Sequence, residues 1–155
     1  SKEHILSYHA LAMAHRQDIA GKIRAIPVKI RNNPRFKTAS PKDIHRLLND
    51  LLARYNEFFR KSRHTLRETI AFAAYFHNGF QHIHPFIDGN SRTTRLLTFH
   101  LLRSLSIPVL DIPLGLLEEY VFTTKGAATR NDAQHSIVLQ RIILANLRGI
   151  NKQLQ

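Results

Sequence analysis

Apolar positions along most of the chain fall at helical intervals. Ile5, Tyr8, Leu11, Ala12 and Ile19 share one stripe that stops near Gly21, which predicts an N-terminal helix ending there. The next stretch, KIRAIPVKIRNNPRFKTASP, breaks the rhythm. Ile23, Ile26, Val28 and Ile30 include β-formers in partial alternation before Asn32-Asn33-Pro34, which predicts a short hairpin or extended flap. Ser40-Pro41-Lys42-Asp43 then reads as a helix start: serine can cap, proline suits the first helical position and Asp43 complements the dipole. The helix it opens carries Ile44, Leu47, Leu48, Leu51, Tyr55, Phe58 and Phe59 on one broad apolar face. A further helix is expected over residues 66–82, with Phe72, Phe76 and Phe80 four apart. RLLTFHLLRSL, residues 95–105, is apolar nearly all round, as a buried central helix would be. Pro108 and Pro113 bracket a loop, and helices are expected around 114–124 and 134–147, the last ending near Gly149. There is no internal repeat or low-complexity segment. The class is all-α with one small hairpin.

Composition narrows the setting. With 155 residues and no sign of an internal boundary, the chain reads as a single domain over 1–155 with one core. The absence of cysteine excludes disulfides and thiolate metal sites and agrees with a reducing compartment, so a cytoplasmic location is expected. No apolar run approaches a membrane span and no signal-peptide pattern opens the chain, so no membrane partner is expected. The net charge of +12 points to anions as partners: nucleotides, nucleic acid or acidic protein surfaces. The bias is also local. Between Ile19 and Lys42 there is no acidic residue, while Lys22, Arg24, Lys29, Arg31, Arg35, Lys37 and Lys42 are basic. Taken alone, that run is a solvated basic loop.

The densest chemistry lies in IHPFIDGNSRTTRLL, residues 83–97. Pro85 to Asn90 reads as a loop between two helices, with Asp88-Gly89 as a turn pair, and Ser91 onward begins the next helix. The free N–H groups of a helix start, next to a glycine-containing loop, suit an anion. Arg92 and Arg95, three apart, share a face of the first turn and offer permanently charged planar donors to phosphate oxygens. Walker A spacing is absent. Asp88 either caps the helix or, with phosphate oxygens, holds Mg²⁺. His84 by itself would be a structural histidine; next to a metal-bound phosphate it is placed to take a proton from an attacking hydroxyl. His77, His82 and His84 are not spaced as an i, i+4 zinc pair, and His77 reads as a buttress of the loop from the preceding helix.

HPFIDGNSRTTR, residues 84–95, resembles the Fic family motif HPFx(D/E)GNGRxxR, matching at His84, Pro85, Phe86, Asp88, Gly89, Asn90, Arg92 and Arg95. GKIRAIPVKI is similar to the family's flap, and SPKDIHRLLNDLL continues the likeness, which covers roughly residues 21–143. The resemblance implies a Fic-like helical bundle with a β-hairpin flap. It also implies a protein adenylyltransferase that moves AMP from ATP to a Ser, Thr or Tyr hydroxyl of a target protein. Under it, His84 is the general base and Asp88 the Mg²⁺ ligand, and Phe86 anchors the loop. Gly89, Asn90 and the Ser91 amide hold the α- and β-phosphates with Arg92, and Arg95 takes the γ-phosphate. Ile26 and Val28 on the flap pair with the target's backbone, and Tyr120 belongs to the adenine pocket.

The chain departs from the family pattern in three places. Ser91 stands where a second glycine is usual. The asparagine expected shortly after Tyr120 is out of register, with Asn131 as the substitute. The inhibitory motif [S/T]xxxE[G/N] is missing, which implies an inhibitory partner chain or an inhibitory helix elsewhere in a longer protein of which these residues are a fragment. Three other readings stand beside AMP transfer. A Fic-type phosphotransferase usually lacks the second arginine, whereas Arg95 is present. A de-AMPylase would reuse the same site. From another class comes a basic nucleic-acid-binding or regulatory module with a vestigial site. It fits the charge but lacks a recognition helix or an aromatic-studded sheet, so nucleic acid is the less favoured partner.

Overall fold

Thr65 opens the helix around which the others pack. Its hydroxyl accepts from the Glu68 N–H, and the Glu68 carboxylate accepts from the Thr65 N–H at 2.7 Å, a reciprocal cap that fixes where the helix begins. The computed structural model describes residues 1–30, 33–109, 111–126 and 129–153, and among them the architecture is all-α with six helices. These are α1 (Lys2–Ala12), α2 (Ile44–Arg60), α3 (Leu66–Ile83), α4 (Asn90–Ser104), α5 (Leu114–Val121) and α6 (Asp132–Gln153). A single 3₁₀ turn, Pro41–Asp43, leads into α2, and α5 runs on into a widened π-type turn, Phe122–Gly126.

The central helix is α3, not α4 as the apolar run at 95–105 predicts. Ile70, Ala73, Ala74, Phe76, His77, Phe80 and Ile83 are buried around its circumference, and it packs against α2, α4 and α6. In α4, Leu97, Leu101 and Leu102 face the core while Leu96 is 41% exposed. The reason lies in the neighbours: α3 is covered by α2, α4 and α6, whereas α4 meets α1 and α3 and leaves Leu96 towards solvent. Helix α1 lies on α4, and α5 lies against α6. The aromatic face of α2 joins the core edge through stacking of Phe58 on Phe72, with centroids 4.0 Å apart.

Four boundaries differ from the pattern. Helix α1 ends at Ala12, and the chain then runs through turns to Gly21, whose N–H donates to His9 Nδ1 rather than continuing a helix. Ser40 makes no side-chain cap; its carbonyl accepts from the Asp43 N–H to close the 3₁₀ turn. Helix α6 begins at Asp132 and passes through Gly149 to Gln153, because a glycine in a helix with open space beside it need not end it. The hairpin is not formed as a ladder among the described residues; one antiparallel bridge joins Ile30 and Asn33. The flap's polar groups find partners elsewhere: the Arg24 N–H donates to Pro85 O, the Ala39 N–H to His82 O, and Thr38 Oγ1 to Val28 O. Arg31 and Asn32, at the tip of the expected hairpin, lie outside the described residues. No helix among the described residues is long and apolar enough to cross a membrane.

Candidate functional site

Helix α3 stops at His84, which takes a left-handed conformation with φ 50° and ψ 59°. That region disfavours a residue with a side chain, so the surroundings must hold it there. Arg24 does so. It is buried without a carboxylate partner among the described residues, and its guanidinium donates to four carbonyls: His84 (2.7 Å), Ile26 (2.7 Å), Ala39 (2.6 Å) and Ile83 at the limit of 3.5 Å. A cation at a helix C-terminus meets the negative end of the dipole and satisfies the carbonyls the helix leaves over. The imidazole of His84 donates from Nδ1 to the Gln81 carbonyl at 3.2 Å, which leaves a lone pair on Nε2. Burial pushes its pKa down to about 4, with Arg24 and Lys125 pushing the same way and Asp88 opposing. The side chain is therefore neutral at pH 7, in the tautomer a general base requires.

The loop that follows is held from both ends. Asn90 closes it with its own side chain: Oδ1 accepts from the Phe86 N–H at 3.0 Å, and Nδ2 donates to the Phe86 carbonyl at 2.8 Å. The Asn90 amide group is thus spent on shaping the loop, and only its backbone N–H is left for a ligand. Phe86 is fully buried and stacks on His9 at 3.6 Å. His9 Nε2 donates to the Asp88 carbonyl at 3.0 Å, and its Nδ1 accepts from the Gly21 N–H at 2.9 Å. Gly89 has φ 78°, and a Cβ there would lie 2.7 Å from Met13 Sδ and 3.1 Å from His9 Nε2. Asp88 carries its carboxylate outward, 61% exposed. One oxygen accepts from the Gly89 N–H at 2.6 Å and the other lies 3.5 Å from Arg92 Nη2.

Helix α4 begins at Asn90, so the N–H groups of Asn90, Ser91 and Arg92 have no intrahelical acceptor. Arg92 and Arg95 both line a cleft of about 620 Å³ with Ala12, Phe99, Asp111, Ile112 and Leu117. Arg92 also donates to the Ala12 carbonyl. Arg95 has no hydrogen bond or ion pair among the described residues. Lys125, from the turn after α5, places Nζ 3.4 Å from Ser91 Oγ.

Other sequence-stretch candidates stand further off. Tyr120 is buried, and its hydroxyl is 2.6 Å from His77 Nε2, so its polar end is spent inside the core; burial raises its pKa. His77 accordingly faces Tyr120 and His135, not the loop it was expected to buttress. Asn131 Oδ1 accepts from the Gln134 N–H and caps α6. Ile26 is 57% exposed on the flap; the carbonyls of Ile26 and Val28 accept from Arg24 and Thr38.

The pattern alone missed His9, Arg24 and Lys125. His9 has a visible signal, since it sits between Ile5 and Met13 at four-residue spacing on the buried stripe. Arg24 is hidden in a basic run, and Lys125 belongs to no motif.

The profile of the Fic/DOC family matches residues 1–102, which includes α1, the flap and the whole loop described above. The chain belongs to the Fic/DOC family. Among Fic relatives, Protein adenylyltransferase Fic from Drosophila persimilis is 40% identical over 70 residues, which is 45% of this chain and 14% of that protein. Its counterpart from Drosophila melanogaster is 36% identical over 70 residues with the same coverage. The chain thus matches only a small part of these relatives' length. A Fic-domain signalling protein from Bacteroides thetaiotaomicron superposes with a TM-score of 0.73 at 22% identity, over 96% of this chain and 61% of its own. That likeness establishes the Fic fold.

Proposed function

We propose that this Fic domain is a protein adenylyltransferase that moves AMP from ATP to a hydroxyl side chain of a target protein. The observation that carries the reading is His84: neutral, with a free Nε2 lone pair, held in a strained conformation one short loop from the open N-terminus of α4. Nε2 would take the proton of the target hydroxyl as its oxygen attacks the α-phosphorus. The new O–P bond forms as the bond to the β-phosphate oxygen breaks, and pyrophosphate leaves. The N–H groups at the start of α4, with Arg92 and Arg95, would hold the phosphates in line and offset the charge that builds up.

Asp88 suits Mg²⁺. It is an outward carboxylate, and no cluster of three or more acidic or histidine side chains among the described residues offers a protein-only cage, so a cation here would share phosphate oxygens and water. Mg²⁺, when bound, would supply charge neutralisation of the polyphosphate. Gly89 leaves the room the loop needs. The segment of exposed Ile26 and half-buried Val28 would present its edge to the target backbone, and Tyr120 would act behind the adenine side as packing.

The names of the relatives support the reading. It is tested with ATP labelled at the α- or the γ-phosphate, incubated with the domain and a cell lysate. Protein label from the α-position alone is the expected result, and His84→Ala should lower it by about 10²–10⁴-fold while ATP binding persists. Label from the γ-position would instead make the domain a phosphotransferase.

A further inference from the structure

We propose that Lys125 is a phosphate ligand of this site, supplied from outside the motif, and that Ser91 aims it. The proposal rests on the nucleotide reading above and adds a residue to it. Its first support is electrostatic. Lys125 Nζ sits at the first turn of α4, beside Ser91 Oγ at 3.4 Å. The helix dipole is positive there, and Arg92 stands in the same turn with Arg95 in the next. The carboxylate of Asp88 is engaged by the Gly89 N–H and Arg92, and Lys125 has no carboxylate partner among the described residues. A flexible ammonium left to itself points into water, away from like charge. A cation beside unpaired N–H groups forms a stable arrangement when an anion joins them, and the first turn of α4 is where the phosphates would lie.

The second support is mechanical. Lys125 is not on a loose loop. Asn33 Nδ2 donates to the carbonyls of both Lys125 (3.0 Å) and Gly126 (2.9 Å), which fastens the turn to the flap. The π-type turn is wide, and its closure brings Gly126 so close to Val121 that a Cβ would meet the Val121 carbonyl at 3.1 Å. Such turns within helices recur at functional sites, because the extra residue redirects the side chains after it.

The third support is the motif's own departure. A glycine at position 91 offers an N–H and nothing else. Ser91 adds an oxygen, and that oxygen is the acceptor for Lys125. The ammonium keeps two further protons for a phosphoryl oxygen that also meets the Ser91 N–H. Serine and lysine therefore form one unit, in which the hydroxyl gives up no backbone donor and orients the added cation.

The test measures binding of ATP·Mg, inorganic tripolyphosphate and adenosine by calorimetry in wild type, Lys125→Met and Lys125→Arg. Methionine keeps the apolar stem and removes the charge. The expected result is roughly 10- to 100-fold weaker binding of tripolyphosphate and ATP·Mg in Lys125→Met, unchanged adenosine binding, and substantial recovery in Lys125→Arg. Ser91→Gly should weaken tripolyphosphate in wild type and have a smaller effect in Lys125→Met, the signature of a coupled pair. Equal tripolyphosphate binding by wild type and Lys125→Met overturns the proposal, as does wild type that does not bind tripolyphosphate. Loss of adenosine binding alongside the phosphates would also overturn it, by making Lys125 a structural residue. Wild type that binds tripolyphosphate but transfers no label from α-labelled ATP sinks the adenylyl-transfer reading alone, and Lys125→Met still decides the role of Lys125.

Discussion

At the scale of single residues, Arg24 does for His84 what no motif residue does. It fills the carbonyls at the end of α3 and so keeps His84, the proposed base, in a conformation that histidine otherwise avoids. Arg24→Met should leave several buried carbonyls without donors, each costing about 1–3 kcal/mol. The melting temperature should drop, and in protein that stays folded kcat for the proposed AMP transfer should fall more than about tenfold while ATP affinity stays within about threefold. Equal loss in ATP binding and in kcat would show that Arg24 serves the whole fold rather than the base. His84, Asp88, Arg92 and Arg95 were legible because their spacing is itself the signal. Arg24 was not, since a charged residue in an acid-free run looks solvated until the chain folds it back onto a helix end sixty positions away.

At the scale of elements, α1 and the loop after α3 are fitted to one another at Gly89. Gly89→Ala would combine a left-handed backbone with a Cβ thrust into Met13 and His9. Strain of roughly 1–2 kcal/mol from the backbone would add to the cost of displacing a buried side chain. Gly89→Ala should therefore lower stability by more than about 2 kcal/mol, read from denaturant unfolding. The double variant with Met13→Ala should lose less than the sum of the two single changes, because it removes the closest clash and leaves the backbone strain and the milder approach to His9. Strict additivity would mean that α1 and the loop do not press on each other. The helical elements themselves were readable from apolar spacing, and α3 matches its expected span nearly to the residue. The flap was not. Its β-forming residues suggested strand pairing, but its polar groups bond to the end of α3 and to side chains, a competition that periodicity does not register.

The molecule as a whole resists protonation of its buried histidines. Burial lowers the pKa of His77 to about 4 and that of His84 to about 4, and it drives His135, packed against His77, well below its ordinary value. The unfolded chain would take up these protons near pH 6.5, whereas the folded chain resists them until about pH 4. The unfolded state thus binds more protons between those values, so stability is full above about pH 6.5 and is lost as pH falls towards 4. The melting temperature should decline steadily from pH 7 to pH 5; a level profile would mean these side chains are open to water. Nothing in the sequence separates these histidines from His4, His15 or His45, because burial is a property of the assembled helices. His9 belongs to the same buried set, and its two bonds couple distant parts of the fold. The Gly21 N–H ends on one nitrogen of that ring, and the other nitrogen grips the carbonyl of Asp88. The exchange rate of this single amide with deuterated water therefore reports how tightly the loop is held, although Gly21 belongs to neither of the helices that frame the loop. If tripolyphosphate or ATP·Mg fills the site as proposed and stills the loop, that amide should exchange more slowly, with no chemistry required.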